Sequence, residues 1–283
     1  MDNECKFADM KYSFLVCVYY KEKPEYLELS FDSMINQTVK PDEIVLVEDG
    51  ELTKELYAVI DEYESKYNGL FNIVKLNENK GLGLALNEGF KVCKNELVAR
   101  MDTDDICFSD RCEVQLERFA QKPELDIVGA MTDEFVDSVE NVVSSRVVPL
   151  YQEDILKFAK RRSPFNHPTV MYRKSSVMAV GGYGDYRRAQ DFDLFTRMLN
   201  DGNAIGENVD RSLLYFRADE GNIKRRKNFN TCKGYIGMVY GFWRKGYVGF
   251  GDFLFVMCSQ IFMLIMPVGV AKYISNNFLR KKK

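Results

Sequence analysis

Between residues 14 and 101 the chain repeats one pattern: a short apolar run, a turn, then a stretch with helical spacing. Residues 14–19, 43–47, 72–76 and 97–101 read as strands. Residues 26–35, 52–67 and 81–93 read as the helices between them, the last with Leu82, Leu86 and Phe90 on one stripe. Short apolar runs bounded by turn residues suit strands buried on both faces. Strand–helix–strand repeats close as crossovers between parallel strands. The pattern therefore predicts an α/β fold: a doubly wound, Rossmann-like, mostly parallel sheet with helices on both faces.

Such a sheet binds ligands beyond the carboxyl ends of its strands. Two of the predicted strands end there in acid, one at Glu48-Asp49-Gly50 and one at Asp102-Thr103-Asp104-Asp105. Hard divalent cations such as Mn²⁺ or Mg²⁺ take carboxylate oxygens and share them with a substrate's phosphates. On that reading Asp104 is the direct ligand, Asp102 serves a ribose or a metal-bound water, and Asp105 supports either. A solvated acidic loop or a helix-start cluster fits the same residues. Asp49 can accept from a base N–H or a ribose hydroxyl, or can simply form an Asp-Gly turn. Asn79-Lys80-Gly81-Leu82-Gly83 is either a helix start whose amides face a phosphate or a flexible loop.

Beyond residue 120 the pattern loosens. Residues 125–129, 134–139, 142–148 and 169–172 read as strands, with a hairpin around Glu140-Asn141. Residues 152–161 and 191–199 read as helices, and Gly181-Gly182-Tyr183-Gly184 as a turn. Two more candidates lie here. Asn166 and His167, the chain's one histidine, sit in a stretch restricted by Pro164 and Pro168. They can reach a diphosphate or an acceptor hydroxyl, although a lone histidine is more often a structural residue. In Gln190-Asp191-Phe192-Asp193, Asp191 can act as a general base, or the two acids can cap a helix.

A net charge of −3 argues against a general nucleic-acid binder. Seven cysteines (5, 17, 93, 107, 112, 232 and 258) lack a Cys-x-x-Cys pair, which argues against a Cys/His zinc site and fits reduced thiols in a cytosolic compartment. Asp2, Glu4 and Asp9 precede any apolar run, so no secretory signal is expected. Residues 253–271 are almost wholly apolar and are followed by Lys272 and the basic run 280–283. That length is near the minimum for a bilayer span, Pro267 and Gly269 interrupt it, and the flanks suit an anionic leaflet. Surface attachment, a span and a core helix are all open. Arg225-Arg226-Lys227 makes a second basic knot.

Taken in order, eight segments resemble the inverting glycosyltransferases of family 2. They are Phe14-Leu-Val-Cys-Val-Tyr-Tyr, Ser33-Met-Ile-Asn-Gln-Thr, Glu43-Ile-Val-Leu-Val-Glu-Asp-Gly and Asn79-Lys-Gly-Leu-Gly-Leu-Ala-Leu-Asn-Glu-Gly. Then follow Ala99-Arg-Met-Asp-Thr-Asp-Asp, Asn166-His-Pro-Thr-Val-Met-Tyr-Arg, Gly181-Gly-Tyr and Gln190-Asp-Phe-Asp-Leu. The resemblance covers residues 12–216 and is strongest to the amylovoran-type branch that builds bacterial capsule, exopolysaccharide and O-antigen units.

That resemblance implies a GT-A fold and transfer of a hexose (glucose, galactose or an N-acetyl form) from a UDP-sugar. The implied acceptor is a glycan, lipid-linked through undecaprenyl diphosphate. It assigns the uracil or ribose to Asp49, with Lys80 and Gly81 beside the nucleotide-sugar. Mn²⁺ or Mg²⁺ falls to Asp102 and Asp104, and the base to Asp191. Gln190 and Glu51 depart from the family's usual Glu and Ser. The implied layout is a catalytic domain over residues 1–228, with its nucleotide part at about 12–130 and its acceptor part at about 131–228. Residues 229–283 would form a helical membrane-associating region, on an enzyme peripheral to the inner face of the plasma membrane. Two other readings compete. A sugar-phosphate nucleotidyltransferase would need a Gly-rich turn where Lys21-Glu22-Lys23-Pro24 stands, and a non-catalytic membrane-associated module would leave the acidic rim as a solvated face.

Overall fold

All four strands expected in the first hundred residues form, and all join one sheet. The computed structural model describes residues 10–218 and 228–266; the two basic runs, Lys272, Pro267, Gly269 and Cys5 lie outside them. The strands are β1 (Tyr12–Val18), β2 (Glu43–Glu48), β3 (Phe71–Lys75) and β4 (Leu97–Arg100), linked by helices α1 (Pro24–Ile35), α2 (Lys54–Lys66) and α3 (Leu82–Val92). Pro24 starts α1, where its missing N–H costs nothing. Thr53 caps α2 by accepting from the Leu56 amide.

After β4 come β5 (Ile106–Cys107), α4 (Arg111–Gln121), β6 (Ile127–Val136), β7 (Ser138–Arg146) and α5 (Gln152–Ala159). A 3₁₀ turn (His167–Thr169) leads to β8 (Met171–Arg173), α6 (Lys174–Ala179), α7 (Gln190–Asn200) and β9 (Gly206–Arg217). Two helices follow, α8 (Phe229–Arg244) and α9 (Phe250–Ile265). Among the described residues the sheet has nine strands in the order β3-β2-β1-β4-β8-β6-β9-β5, with β7 paired to β6. The first four are mutually parallel. β8 runs antiparallel to both β4 and β6, and β9 returns parallel to β6. The sheet is thus parallel where the sequence pattern is regular and mixed beyond it.

Two readings need correction. Residues 125–139 hold one long strand, β6, rather than two. The hairpin turns at Asp137, which takes a positive φ of 63°, and not at Glu140-Asn141. Helix α4 and strand β9 escape the periodicity. In α4 the inward face carries Arg111 and Gln115 beside Cys112, Leu116 and Phe119, while β9 follows register shifts in β6 that break simple alternation.

Alternate residues of β1 feed two layers. Phe14 and Val16 pack with Phe31 of α1, Tyr63 of α2 and Phe119 of α4. Leu15 faces the other way, with Phe90 of α3, Ile155 of α5 and Phe195 of α7. A third cluster joins Phe192 of α7 to Met238, Val239 and Phe242 of α8 and Val256 of α9. Phe192 stacks on Tyr235 with ring centroids 5.4 Å apart. The outer side of α9 leaves Phe255, Phe262 and Ile265 exposed by 52%, 61% and 76%. No helix among the described residues is long and apolar enough to cross a membrane.

Candidate active site

The site begins with a charge inside the sheet. Arg100, the last residue of β4, is wholly buried. Its Nη1 donates to Oδ2 of Asp102 over 2.8 Å, and Nη2 donates to Oδ1 of the same carboxylate. Asp102 is therefore fixed from beneath and keeps part of its surface in solvent. The next turn is fastened from β9: Arg217 donates its backbone amide to Asp105 Oδ1 and its Nε to the Asp104 carbonyl, each over 2.9 Å. The Arg217 guanidinium lies 3.7 Å from the Tyr26 ring centroid. Thr103 donates to Glu22 over 3.0 Å, which brings a fourth carboxylate close.

Asp102, Asp104 and Asp105 offer oxygens that all lie within 4.8 Å of one another. Burial, then the charges of Asp102 and Glu22, push the Asp104 carboxyl up to about 7. Burial, then Asp104 and Asp102, hold Asp105 well above the ordinary carboxylate range. Asp105 Oδ2 is buried with no hydrogen-bond partner among the described residues. A buried lone carboxylate oxygen is costly unless a positive charge meets it. Crowded oxygen donors of this kind fit a hard divalent cation. Asp105, which the resemblance left without a role, belongs to the group as fully as Asp102 and Asp104.

Asp49, at the end of β2, is 3% exposed. Its carboxylate accepts the amides of Lys80 over 2.7 Å and Gly81 over 3.0 Å, and its carbonyl accepts from the Asn79 side chain over 3.1 Å. The Lys80 and Gly81 amides are therefore already paired with Asp49, and α3 begins at the next residue, Leu82. The approach is close: a Cβ on Gly50 would lie 2.8 Å from the Asn79 nitrogen. The Lys80 ammonium sits 3.9 Å from Glu88.

His167 lies in the interior. It is 8% exposed, with Nε2 2.7 Å from the Tyr183 hydroxyl, which lies 3.0 Å from the Tyr172 hydroxyl. Burial pushes the imidazole well below its usual range, and its setting is that of the structural histidine the sequence favours. Asn166 donates to the Ala130 carbonyl over 2.8 Å and forms part of a cleft wall.

The two acids at the start of α7 divide. Asp193 is buried and pairs with Arg197, which also donates to the Val180 and Gly182 carbonyls and so fixes the glycine turn. Asp191 is half-buried and lines a cleft of about 700 Å³. Ala189, immediately before α7, has a left-handed φ of 58° that turns the chain into the helix. The cleft is walled by Glu134 and Arg146, by Ser163 and Asn166, by Tyr235 of α8, and by Gln260 and Met263 of α9. Phe216 also lines it, and the next residue is the Arg217 that holds the acidic turn. Cleft and acidic turn thus draw on consecutive residues of β9.

The family model "Glycosyl transferase family 2" matches residues 13–181, more than half of the chain. The chain belongs to glycosyltransferase family 2. It is 33% identical to a UDP-Gal:alpha-D-GlcNAc-diphosphoundecaprenol beta-1,3-galactosyltransferase of Escherichia coli, over 96% of this chain and 97% of that protein. It is 36% identical to the amylovoran biosynthesis glycosyltransferase AmsE of Erwinia amylovora, over 80% and 83% of the respective lengths. A mannosyltransferase from Pyrobaculum calidifontis, in complex with GDP-Man and Mn²⁺, shares the fold with a TM-score of 0.63 at 15% identity, over 95% of this chain and 77% of that one.

Sequence reasoning about this glycosyltransferase missed Arg100 and Arg217. Arg100 carried a signal, since a charged residue in an apolar strand two positions before an aspartate invites an ion pair. Arg217 carried none, because its partners lie more than a hundred residues away.

Proposed function

We propose that this enzyme transfers a hexose from a UDP-sugar, with inversion, to a lipid-linked glycan whose lipid is joined through a diphosphate, in surface-polysaccharide (O-antigen or capsule) assembly. The carrying observation is the three-aspartate cluster beyond β4, together with Asp191, which lines a cleft whose wall includes Phe216, the residue before the Arg217 that fastens the cluster. Both relatives described above support it: one acts on a diphosphoundecaprenol acceptor, and the other belongs to amylovoran biosynthesis.

In this reading residues 12–130 bind the nucleotide and residues 131–228 the acceptor. Asp49 orders the loop at Lys80 and Gly81 against the strand end where the uracil and ribose lie. Asp102, Asp104 and Asp105 hold Mn²⁺ or Mg²⁺. Such a cation, when bound, supplies positive charge against the diphosphate leaving group. Arg100 and Arg217 keep the three carboxylates in place. Asp191 takes the proton from the acceptor hydroxyl as that oxygen attacks the anomeric carbon from the face opposite the leaving group. One displacement inverts the centre, and no protein nucleophile is required. The exposed apolar side of α9 lies on the cytoplasmic face of the membrane, within reach of a lipid-linked acceptor.

The test is a donor screen with purified protein, Mn²⁺ and an N-acetylglucosaminyl diphosphate lipid, read as nucleotide release. Acceptor-dependent UDP release from one UDP-hexose is expected. No release from UDP-glucose, UDP-galactose or their N-acetyl forms would overturn the proposal.

A further inference from the structure

We infer that Arg187 and Arg188 form an anion subsite for the acceptor's diphosphate, separate from the acidic cluster that serves the donor. The inference rests on the lipid-diphosphate acceptor proposed above. Both arginines are exposed and both line the cleft that holds Asp191. Neither makes a hydrogen bond or ion pair with another described residue. Other arginines of the fold are engaged: Arg100 on Asp102, Arg197 on Asp193, Arg211 on Asp110. Two adjacent like charges held without partners, within four residues of the base, suit a bound anion.

The cleft as a whole points the same way. Four arginines line it, at 146, 162, 187 and 188, against the carboxylates of Glu134 and Asp191. A neutral sugar needs no such excess of positive charge, whereas a diphosphate does. The backbone around the pair is also constrained: the Tyr186 amide donates to the Gly184 carbonyl over 2.8 Å, and Ala189 holds φ at 58°. A left-handed conformation at a residue other than glycine is unfavourable and persists where the surroundings enforce it.

The third observation is the neighbouring wall. Gln260 and Met263 of α9 line the cleft, and on the same helix Ile261, Phe262 and Ile265 stay exposed. The cleft therefore offers a carboxylate for a sugar hydroxyl and arginines for a diphosphate, and the helix that forms one of its walls carries an apolar outer side for a hydrocarbon chain. Those are the three chemical parts of a sugar–diphosphate–lipid.

The experiment compares the full-length protein with the double variant Arg187→Gln, Arg188→Gln. Binding of undecyl diphosphate and of undecanol is measured in neutral detergent, with UDP binding in Mn²⁺ as the donor control. Vesicles of phosphatidylglycerol and of phosphatidylcholine report on general attraction to anionic lipid. The wild type should bind undecyl diphosphate well above undecanol. The variant should lose about 10- to 100-fold of that affinity, as charge-assisted hydrogen bonds would give, while UDP binding stays the same. Equal undecyl diphosphate affinity in both proteins overturns the subsite. So does a loss confined to phosphatidylglycerol vesicles, which would make the pair a membrane contact. These ligands carry no sugar, so an absence of transfer in the donor screen would sink the transferase reading while the binding comparison still decides the arginines.

Discussion

Arg100 and Asp102, two residues apart at one strand end, form a two-bond ion pair in which the guanidinium is wholly buried and the carboxylate is 30% exposed. The two outer members of the Asp-x-Asp sequence therefore differ in kind, because Asp102 neutralises a buried cation and Asp104 does not. Asp102→Ala is expected to cost about 3 kcal/mol, the scale for stripping a buried charge of its partner. Asp104→Asn should cost nothing in metal-free buffer. Urea denaturation of the two variants without divalent ions checks this, and equal stabilities would refute it.

The acidic cluster also sets a pH dependence. The Asp104 carboxyl titrates at about 7 in the folded protein, against about 4 when unfolded. A raised folded value means the contribution to stability is present below about pH 4 and is lost as pH rises through about 7. A divalent cation replaces the missing proton, so Mn²⁺ or Mg²⁺ should raise the melting temperature more at pH 8 than at pH 5.5. In Asp104→Asn that difference should shrink markedly. Thermal scans with and without the ion decide it.

Asp191→Asn should lower kcat by about 10²- to 10⁴-fold, the usual range for losing a general base, and leave the donor KM and the fold intact. Asp193→Asn should do the reverse, weakening the fold through its buried pair with Arg197. Steady-state kinetics and denaturation on both variants separate the roles; a stable, fully active Asp191→Asn enzyme would remove Asp191 from the mechanism.

His167 makes its own pH signature. Burial holds its folded pKa well below 6.5, so the unfolded chain takes up a proton that the folded one refuses. Stability should then fall below about pH 6.5, by up to about 1.4 kcal/mol per pH unit from this group. His167→Gln should lack that component. The measurement is the wild-type-minus-variant difference in unfolding free energy at pH 7.5 and 5.5.

The outer side of α9 can be tested without touching the cleft. Phe255, Phe262 and Ile265 are exposed and do not line it. Replacing all three with Ser should reduce co-sedimentation with lipid vesicles about tenfold or more, given the apolar area removed. UDP release with a water-soluble acceptor should stay unchanged. Undiminished sedimentation would place the membrane contact elsewhere.

The strands β1, β2 and β4 are legible in the sequence because they are buried throughout or nearly so, and an apolar run alone marks such a strand. Helix α4 is not, since its inward face holds buried polar spokes. Arg111 donates to the Arg100 carbonyl over 2.7 Å, and Gln115 to the Val128 and Thr169 carbonyls over 2.8 Å each. Those partners come from three other segments, and no local period encodes them. The site divides in the same way. Asp49, Asp102, Asp104 and Asp191 are visible because each stands at the end or start of a regular element. The unpartnered Asp105 oxygen, the Arg217 fastening and the capture of the Lys80 and Gly81 amides all depend on which loops meet, and only the assembled sheet decides that.

Asp191 and Phe192 leave consecutive backbone positions, one lining the cleft and the other stacked on Tyr235 of α8. This adjacency limits how the enzyme can be recombined. A crossover at residue 228, the expected end of the catalytic part, separates Phe192 from the ring it packs against and disturbs Asp191 beside it. Chimeras with related transferases should instead exchange everything from Gln190 onward as one block, so that each aspartate travels with its own C-terminal helices.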